Sequence, residues 1–253
     1  MSITVVIPLR IEHIDRYINT ELVINYIANH FDYDIIVIEN SAEFKIPLMN
    51  IPHKRITYIQ QESDNKIFPK TKMIKDGIEL VKTEITMIYD ADILLPLQTF
   101  KEVENYILHK NYHIVQPFSN PPGCTYIHQK NKVTIDPTKN IDTYLLKKND
   151  KIGFAGKGFV VCVNTAIWKS IGGENEDFLS YGPEDNERYF RFTTLGYNSG
   201  VIDGKVFHLE HFRGDNSSTS NPHFNNNHKL YESLKTMSVS ELKDYYAKKS
   251  RFK

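Results

Sequence analysis

Short β-branched runs alternate with segments of helical period along the first half of this chain, and that alternation narrows the choice of fold more than any other feature. Ile3 to Leu9, written ITVVIPL, has the length and composition of a strand buried on both faces. The next stretch, EHIDRYINTELVINYIANHF, carries apolar residues at helical spacing. YDIIVIENS and RITYIQQ then read as strands, FPKTKMIKDGIELVKTE as a helix, ITMIYDAD as a fourth strand, TFKEVENYILHK as a helix and YHIVQPF as a strand. Such alternation builds βαβ units. The expected fold class is therefore α/β: a Rossmann-like, mainly parallel sheet flanked by helices, with ligands placed beyond the carboxyl ends of the strands.

The second half is less regular. Ser119 to Lys151 lacks a clean period and is rich in turn formers, which predicts a long loop or a small excursion. GFVVCVN resumes strand character, and TAIWKSIGG is a helix closed by glycine, with Trp168 at a core spacing. PEDNERYFRFTTLGY is a helix with proline in its first turn. SGVIDGKVFHLEHF reads as one strand, and the polar RGDNSSTSNPHFNNN as a mobile loop. Two helices close the chain, the second opened by a capping box of Ser238 and Glu241. The predicted organisation is one domain over 1–225 with a C-terminal helical extension over 226–253.

Composition excludes several classes. The 31 basic and 31 acidic side chains of the 253 residues cancel, so no broad positive field exists for nucleic acid or an anionic membrane, and anion binding must be local. No apolar run approaches the ~20 residues of a membrane span, and MSITVVIPLR enters a strand without the layout of a signal peptide, which predicts a cytoplasmic protein. Cys124 and Cys162 form no C-x-x-C and no Cys/His cluster, which argues against a disulfide framework or structural zinc.

One stretch stands out chemically. MIYDADILLP places Asp90 and Asp92 in the middle of an apolar run, at the expected end of the fourth strand. Taken alone, such a pair is also consistent with a cap and a solvated charge. An Asp-x-Asp turn there can also hold a hard divalent ion through oxygen, leaving positions open for phosphate. Three other segments favour the second use. Pro8, Leu9 and Arg10, then Glu39, Asn40 and Ser41, lie at the ends of the first two strands, where a nucleoside is read in a doubly wound sheet. GGENEDFLSYGPEDNERYFR concentrates six carboxylates before Arg188, and VFHLEH places His208 and His211 after a strand.

Together these segments resemble the metal-dependent GT-A fold of glycosyltransferases, from Ile3 to about Arg213. VVIPLR, DIIVIENS and the stretch ending in DAD look like a family-2-type N-terminal half. GGENEDFLSYGPEDNERYFRFTTLGY resembles the acceptor segment of the β-1,4-galactosyltransferase and chondroitin-polymerase group. The resemblance implies a nucleotide-sugar site made by Pro8, Arg10, Glu39, Lys70, Asp90 and Gly158. It implies a metal, Mn²⁺ or Mg²⁺, on Asp92 with His208, His211 or both. It also implies that Tyr181 stacks on the acceptor sugar, Glu184 hydrogen-bonds it, and Asp185 is the catalytic base. The chain departs from the family where ENSA replaces the frequent DDGS, where Lys70 replaces arginine, and where Tyr181 replaces tryptophan.

The expected activity is inverting hexosyl transfer from a nucleotide sugar, with UDP as the nucleotide, to a hydroxyl of a glycan or glycoconjugate. A base within hydrogen-bond reach of that hydroxyl is a chemical requirement. Two rivals remain at this level. A sugar nucleotidyltransferase shares the sheet and an aspartate-bound metal but usually has a glycine-rich loop after its first strand, and PLRIEHIDRY has no glycine. A non-catalytic nucleotide- or sugar-binding module would keep the fold without turnover.

Overall fold

Strand β1 (Ile3–Leu9) is buried along its whole length, as an apolar run without alternation requires, and it sits inside a seven-stranded sheet. The computed structural model describes residues 2–49, 51, 55–63, 67–214 and 219–252. Helix α1 (Ile14–His30) leads to β2 (Asp34–Glu39) and β3 (Ile56–Gln60), which pair in parallel outward from β1. Helix α2 (Lys70–Leu80) then returns the chain to β4 (Ile85–Tyr89) on the other side of β1. This reversal opens a crevice beyond the carboxyl ends of β1 and β4.

After β4 the chain leaves the large sheet. Strand β5 (Ile93–Leu94) starts a second, four-stranded sheet, and helix α3 (Leu97–Glu104) with a π-helical turn at Asn105–His109 leads back to β6 (Ile114–Gln116). Of the two readings of the next stretch, long loop or small excursion, the structure has the excursion. It holds β7 (Cys124–Ile127), the one-turn helix α4 (Gln129–Lys132), a 3₁₀ turn at Ile141–Thr143 and β8 (Lys151–Gly153). These elements are only three or four residues long, too short to show a period, and β7 and β8 complete the small sheet.

Strand β9 (Val160–Asn164) runs antiparallel between β4 and β6, so the large sheet is parallel at its other pairings. Helix α5 (Thr165–Ser170) follows, closed by Gly172 at φ 98° and Gly173 at φ 65°, and then α6 (Glu184–Thr194). Trp168 is buried and stacked on Phe192 of α6, as its spacing predicts. The single strand expected at 199–212 is two: β10 (Ser199–Val201) pairs with β6, and β11 (Val206–Leu209) pairs with β5 and β7 in the other sheet. Asp203 and Gly204 divide them, and apolar residues on both sides of that short break conceal the change of sheet.

Two helices, α7 (Phe224–Lys235) and α8 (Val239–Lys249), complete the chain, and the capping box of Ser238 and Glu241 opens α8. Leu234, Leu242 and Tyr246 pack there with Phe178 as a separate apolar cluster. Close packing elsewhere has a specific requirement at Gly77 of α2, where a Cβ would fall 2.6 Å from Ile38 Cδ1 and 2.7 Å from Val6 Cγ1. Among the described residues no helix is long and apolar enough to cross a membrane.

Candidate active site and metal centre

Beyond β1 and β4 lies a cavity of about 470 Å³, within the usual range of small-molecule sites. Pro8, Arg10, Lys70, Asp90, Asp92, Gly158, Tyr181, Glu184, Asp185, His208 and His211 all line it. Eleven of the twelve residues singled out in sequence therefore meet at one place. Glu39 does not. Its carboxylate is fully buried and accepts the backbone N–H groups of Lys45 (3.0 Å) and Ile46 (3.1 Å), capping the 3₁₀ turn at Ile46–Leu48.

The Asp90–Ala91–Asp92 turn carries the chain from the large sheet to the small one. Asp90 N–H donates to Phe159 O of the segment entering β9, and Leu209 N–H donates to Asp92 O across the β5–β11 pairing. His208 is opposite Ile93 in that pairing, so sheet register brings its ring beside Asp92. Asp92, His208 and His211 each offer an atom within 4.8 Å of the others. His211 Nε2 is 2.8 Å from Asp92 Oδ2, and His208 Nε2 is 4.0 Å from Asp92 Oδ1.

The donor set fits a divalent ion. His211 Nδ1 contacts Phe212 O at 2.6 Å, which turns Nε2 inward as a metal-ligating imidazole requires. His208 Nδ1 is buried without a hydrogen bond, and burial pushes this histidine down to about 4, so it is a neutral imidazole at physiological pH. Burial alone would raise the Asp92 carboxyl, but His208, His211 and Arg16 outweigh it and hold it well below the ordinary carboxylate range. One carboxylate and two imidazoles suit a divalent transition-metal ion, the carboxylate being the donor that Mn²⁺ prefers.

A buried polar network holds this corner from behind. Asn19 Nδ2 donates to Leu209 O (3.0 Å), Asp15 accepts Phe212 N–H, and Lys132 Nζ reaches Asn19 Oδ1 at 2.7 Å and Glu210 O at 3.4 Å. Lys132 comes from α4, inside the stretch predicted as loop or excursion, and its part in fixing His211 left no mark in the sequence.

The second half of the cavity belongs to the start of α6. Glu184 and Asp185 lie in its first turn, at the positive end of the helix dipole. Their environments differ. Burial and the neighbouring Asp185 charge push Glu184 up to about 8, and its Oε2 has no hydrogen bond. Burial also acts on Asp185, but Lys70 and Arg188 outweigh it and keep it ionised, with Arg188 Nη1 bonded to Oδ1. Gly158 is pressed against this carboxylate, so a Cβ there would overlap Asp185. Lys70 links the halves: its Nζ is 3.2 Å from Asp90 Oδ1 and 4.0 Å from Glu184 Oε1. Burial and the adjacent charges of Asp92 and Asp185 raise Asp90 to about 6, although Lys70 opposes the shift.

Arg10 anchors the opposite rim by donating from Nε to Asn40 O (2.9 Å), and its guanidinium lies 5.4 Å from the Phe68 ring centroid. Arg16 and Arg213 also face the cavity, and neither was singled out in sequence. Isolated arginines in a helix and a polar loop carry no signal until the fold gathers them.

By sequence, no family model and no curated protein matches this chain. By structure it is similar to the mannosyltransferase PcManGT from Pyrobaculum calidifontis, solved in complex with GDP-Man and Mn²⁺. That superposition has a TM-score of 0.60 at 13% identity and covers 99% of this chain and 69% of that one. The fold is that of a GT-A-like glycosyltransferase. The crevice between β1 and β4 is where the strand order reverses, the place at which doubly wound sheets in general bind their ligands.

Tyr181 sits at the cavity edge, stacked on Phe224 of α7 with ring centroids 6.0 Å apart. The loop that carries it is held by residues predicted to be mobile. Asn227 accepts Leu179 N–H (3.1 Å) and donates to Leu179 O (2.7 Å) and Tyr181 O (3.0 Å), while Asn221 donates to Ser180 Oγ (2.9 Å). Ser180 adopts φ 59° at this bend. Asn221 and Asn227 are buried, which corrects the mobile-loop expectation for 221–227, whereas 215–218 lie outside the described residues.

Proposed function

We propose that this chain is a metal-dependent, inverting glycosyltransferase that moves a hexosyl unit from a nucleotide sugar, with UDP as the nucleotide, to a hydroxyl of a glycan or glycoconjugate. One observation carries this reading. A three-ligand cluster and an ionised carboxylate at a helix start share one cavity, with Lys70 placed between Asp90 and Glu184. The mannosyltransferase that shares its fold is bound to a nucleotide sugar and Mn²⁺, which supports the same class of donor here.

Asp92, His208 and His211 would hold Mn²⁺ or Mg²⁺, which when bound offsets the charge of the departing diphosphate. Arg10 and Pro8 border the nucleoside, and Lys70 and Asp90 the phosphates and donor sugar. Glu184, protonated below about 8, is able to donate a hydrogen bond to the acceptor sugar, and Tyr181 offers a ring face to it. Asp185 takes the proton of the attacking hydroxyl as the new bond to the anomeric carbon forms and the bond from that carbon to diphosphate oxygen breaks. A single displacement of this kind inverts the anomeric centre. Residues 172–197 act as an acceptor segment of the β-1,4-galactosyltransferase kind, and 226–253 as a helical extension of the catalytic domain over 1–225.

The test is a panel of nucleotide sugars scored for metal-dependent release of nucleoside diphosphate. Asp185→Asn is expected to keep nucleotide binding and lose transfer by about 10²–10⁴-fold. Asp92→Asn is expected to lose metal-dependent binding as well. Equal turnover by both variants and the parent chain would refute both roles.

A further inference from the structure

The excursion between β7 and β8 ends in Thr143–Phe154, written TYLLKKNDKIGF, whose exposed side chains are mainly apolar and cationic. Leu145 is 79% exposed, Leu146 55%, Ile152 66% and Phe154 72%, with Val133 at 74% in the adjoining turn after α4. Lys147, Lys148 and Lys151 are exposed between them, and Lys130 projects from α4.

The single carboxylate of this stretch is turned inward. Asp150 accepts the N–H groups of His128 and Lys147, the Asn131 amide and the Tyr144 hydroxyl, each at 2.8 Å. These bonds pin the lysine-bearing turn against α4. The nearby exposed acids are also engaged, Asp136 with Lys139 at 3.5 Å and Asp142 with Lys205 at 3.4 Å. A local basic excess therefore coincides with a cluster of large apolar side chains, in a chain whose total charge is zero.

Clustered exposed apolar residues mark an interaction surface, and interleaved lysines select its chemistry. Leucine, isoleucine and phenylalanine suit the boundary between headgroups and acyl chains, while lysine stems reach from there to phosphate. A hydrophobic protein partner would not call for the lysines. We propose that this patch docks the protein peripherally on an anionic lipid surface. Leu145, Leu146, Ile152 and Phe154 enter the headgroup boundary, and Lys147, Lys148 and Lys151 meet lipid phosphates. Phe154 also lines the cavity, so docking sets the cavity mouth beside the membrane. The inference does not depend on the reaction assigned to that cavity.

Co-sedimentation of the purified full chain with vesicles tests it, using phosphatidylcholine alone and phosphatidylcholine mixed with phosphatidylglycerol. Binding is expected on the mixed vesicles, weakening as salt shortens the Debye length. Lys147→Glu with Lys148→Glu is expected to lower partitioning by more than tenfold, at about fivefold for each lysine. Leu145→Ser with Leu146→Ser is expected to lower it too, whereas Lys101→Glu on α3 leaves it unchanged. Far-ultraviolet dichroism and melting temperature establish that each variant is folded. The proposal is overturned by absence of sedimentation, by equal partitioning of patch variants and parent chain, or by a dimer in solution that Leu145→Ser with Leu146→Ser dissolves.

Discussion

At the scale of single residues, neighbouring carboxylates on α6 have been given opposite protonation states. Glu184 is raised to about 8 by burial and by Asp185, while Lys70 and Arg188 keep Asp185 ionised. The folded chain holds the Glu184 proton more tightly than the unfolded chain, whose value is near 4.5. The associated stability is present at acid pH and lost as pH rises through about 8. Glu184→Gln stays neutral throughout, so the parent chain should lose stability relative to this variant between about pH 5 and about pH 9, as measured by urea unfolding. A constant difference across that range would remove the assignment. Residue types, their places at strand ends and a helix start, and the family resemblance together singled out Asp92, His208, His211, Glu184 and Asp185, and the fold brings all five to one cavity. Nothing local reveals that Glu39 is spent on backbone N–H groups, or that Gly158 makes room for Asp185.

At the scale of elements, the main strands and helices were readable because β1, β2 and β4 are continuous apolar runs and α2 keeps a helical period. The small sheet was not. Strands of two to four residues draw their stability from partners distant in sequence, as β5 does from β11, and local pattern is silent about them. The segment that leads into α7 shows a related effect: polar Asn221 and Asn227 look like solvent-facing residues until burial and their bonds to the loop before α6 give them a structural task. Asn227→Ala is expected to destabilise the fold by about 1–3 kcal/mol. It should raise the acceptor KM more than the donor KM, because the loop it holds carries Tyr181. Thermal unfolding and steady-state kinetics check the two effects, and an equal rise in both KM values would contradict the positioning role.

At the scale of the molecule, the C-terminal helices are bound into the domain that carries the site. Tyr246 of α8 donates its hydroxyl to Glu187 at 2.5 Å, and the Arg191 guanidinium lies between the rings of Trp168 (4.5 Å) and Tyr246 (3.8 Å). Lys75 of α2 donates to Lys249 O at 2.8 Å. Ending the chain at Thr236 uncovers Phe178, Glu187 and Arg191 and removes the buried Leu242 and Tyr246, so the melting temperature should fall by about 10 °C or more. An unchanged melt would show that α8 is dispensable. The proposed function requires that the sheet crossing at Asp92 gather three ligands, so that a nucleoside diphosphate binds together with a divalent ion. Calorimetric titration of UDP into the full chain, with Mn²⁺ and then with a chelator, tests it most directly. Tight binding with Mn²⁺ that disappears with the chelator and in the His208→Ala/His211→Ala variant is the predicted result, and binding indifferent to both would contradict it.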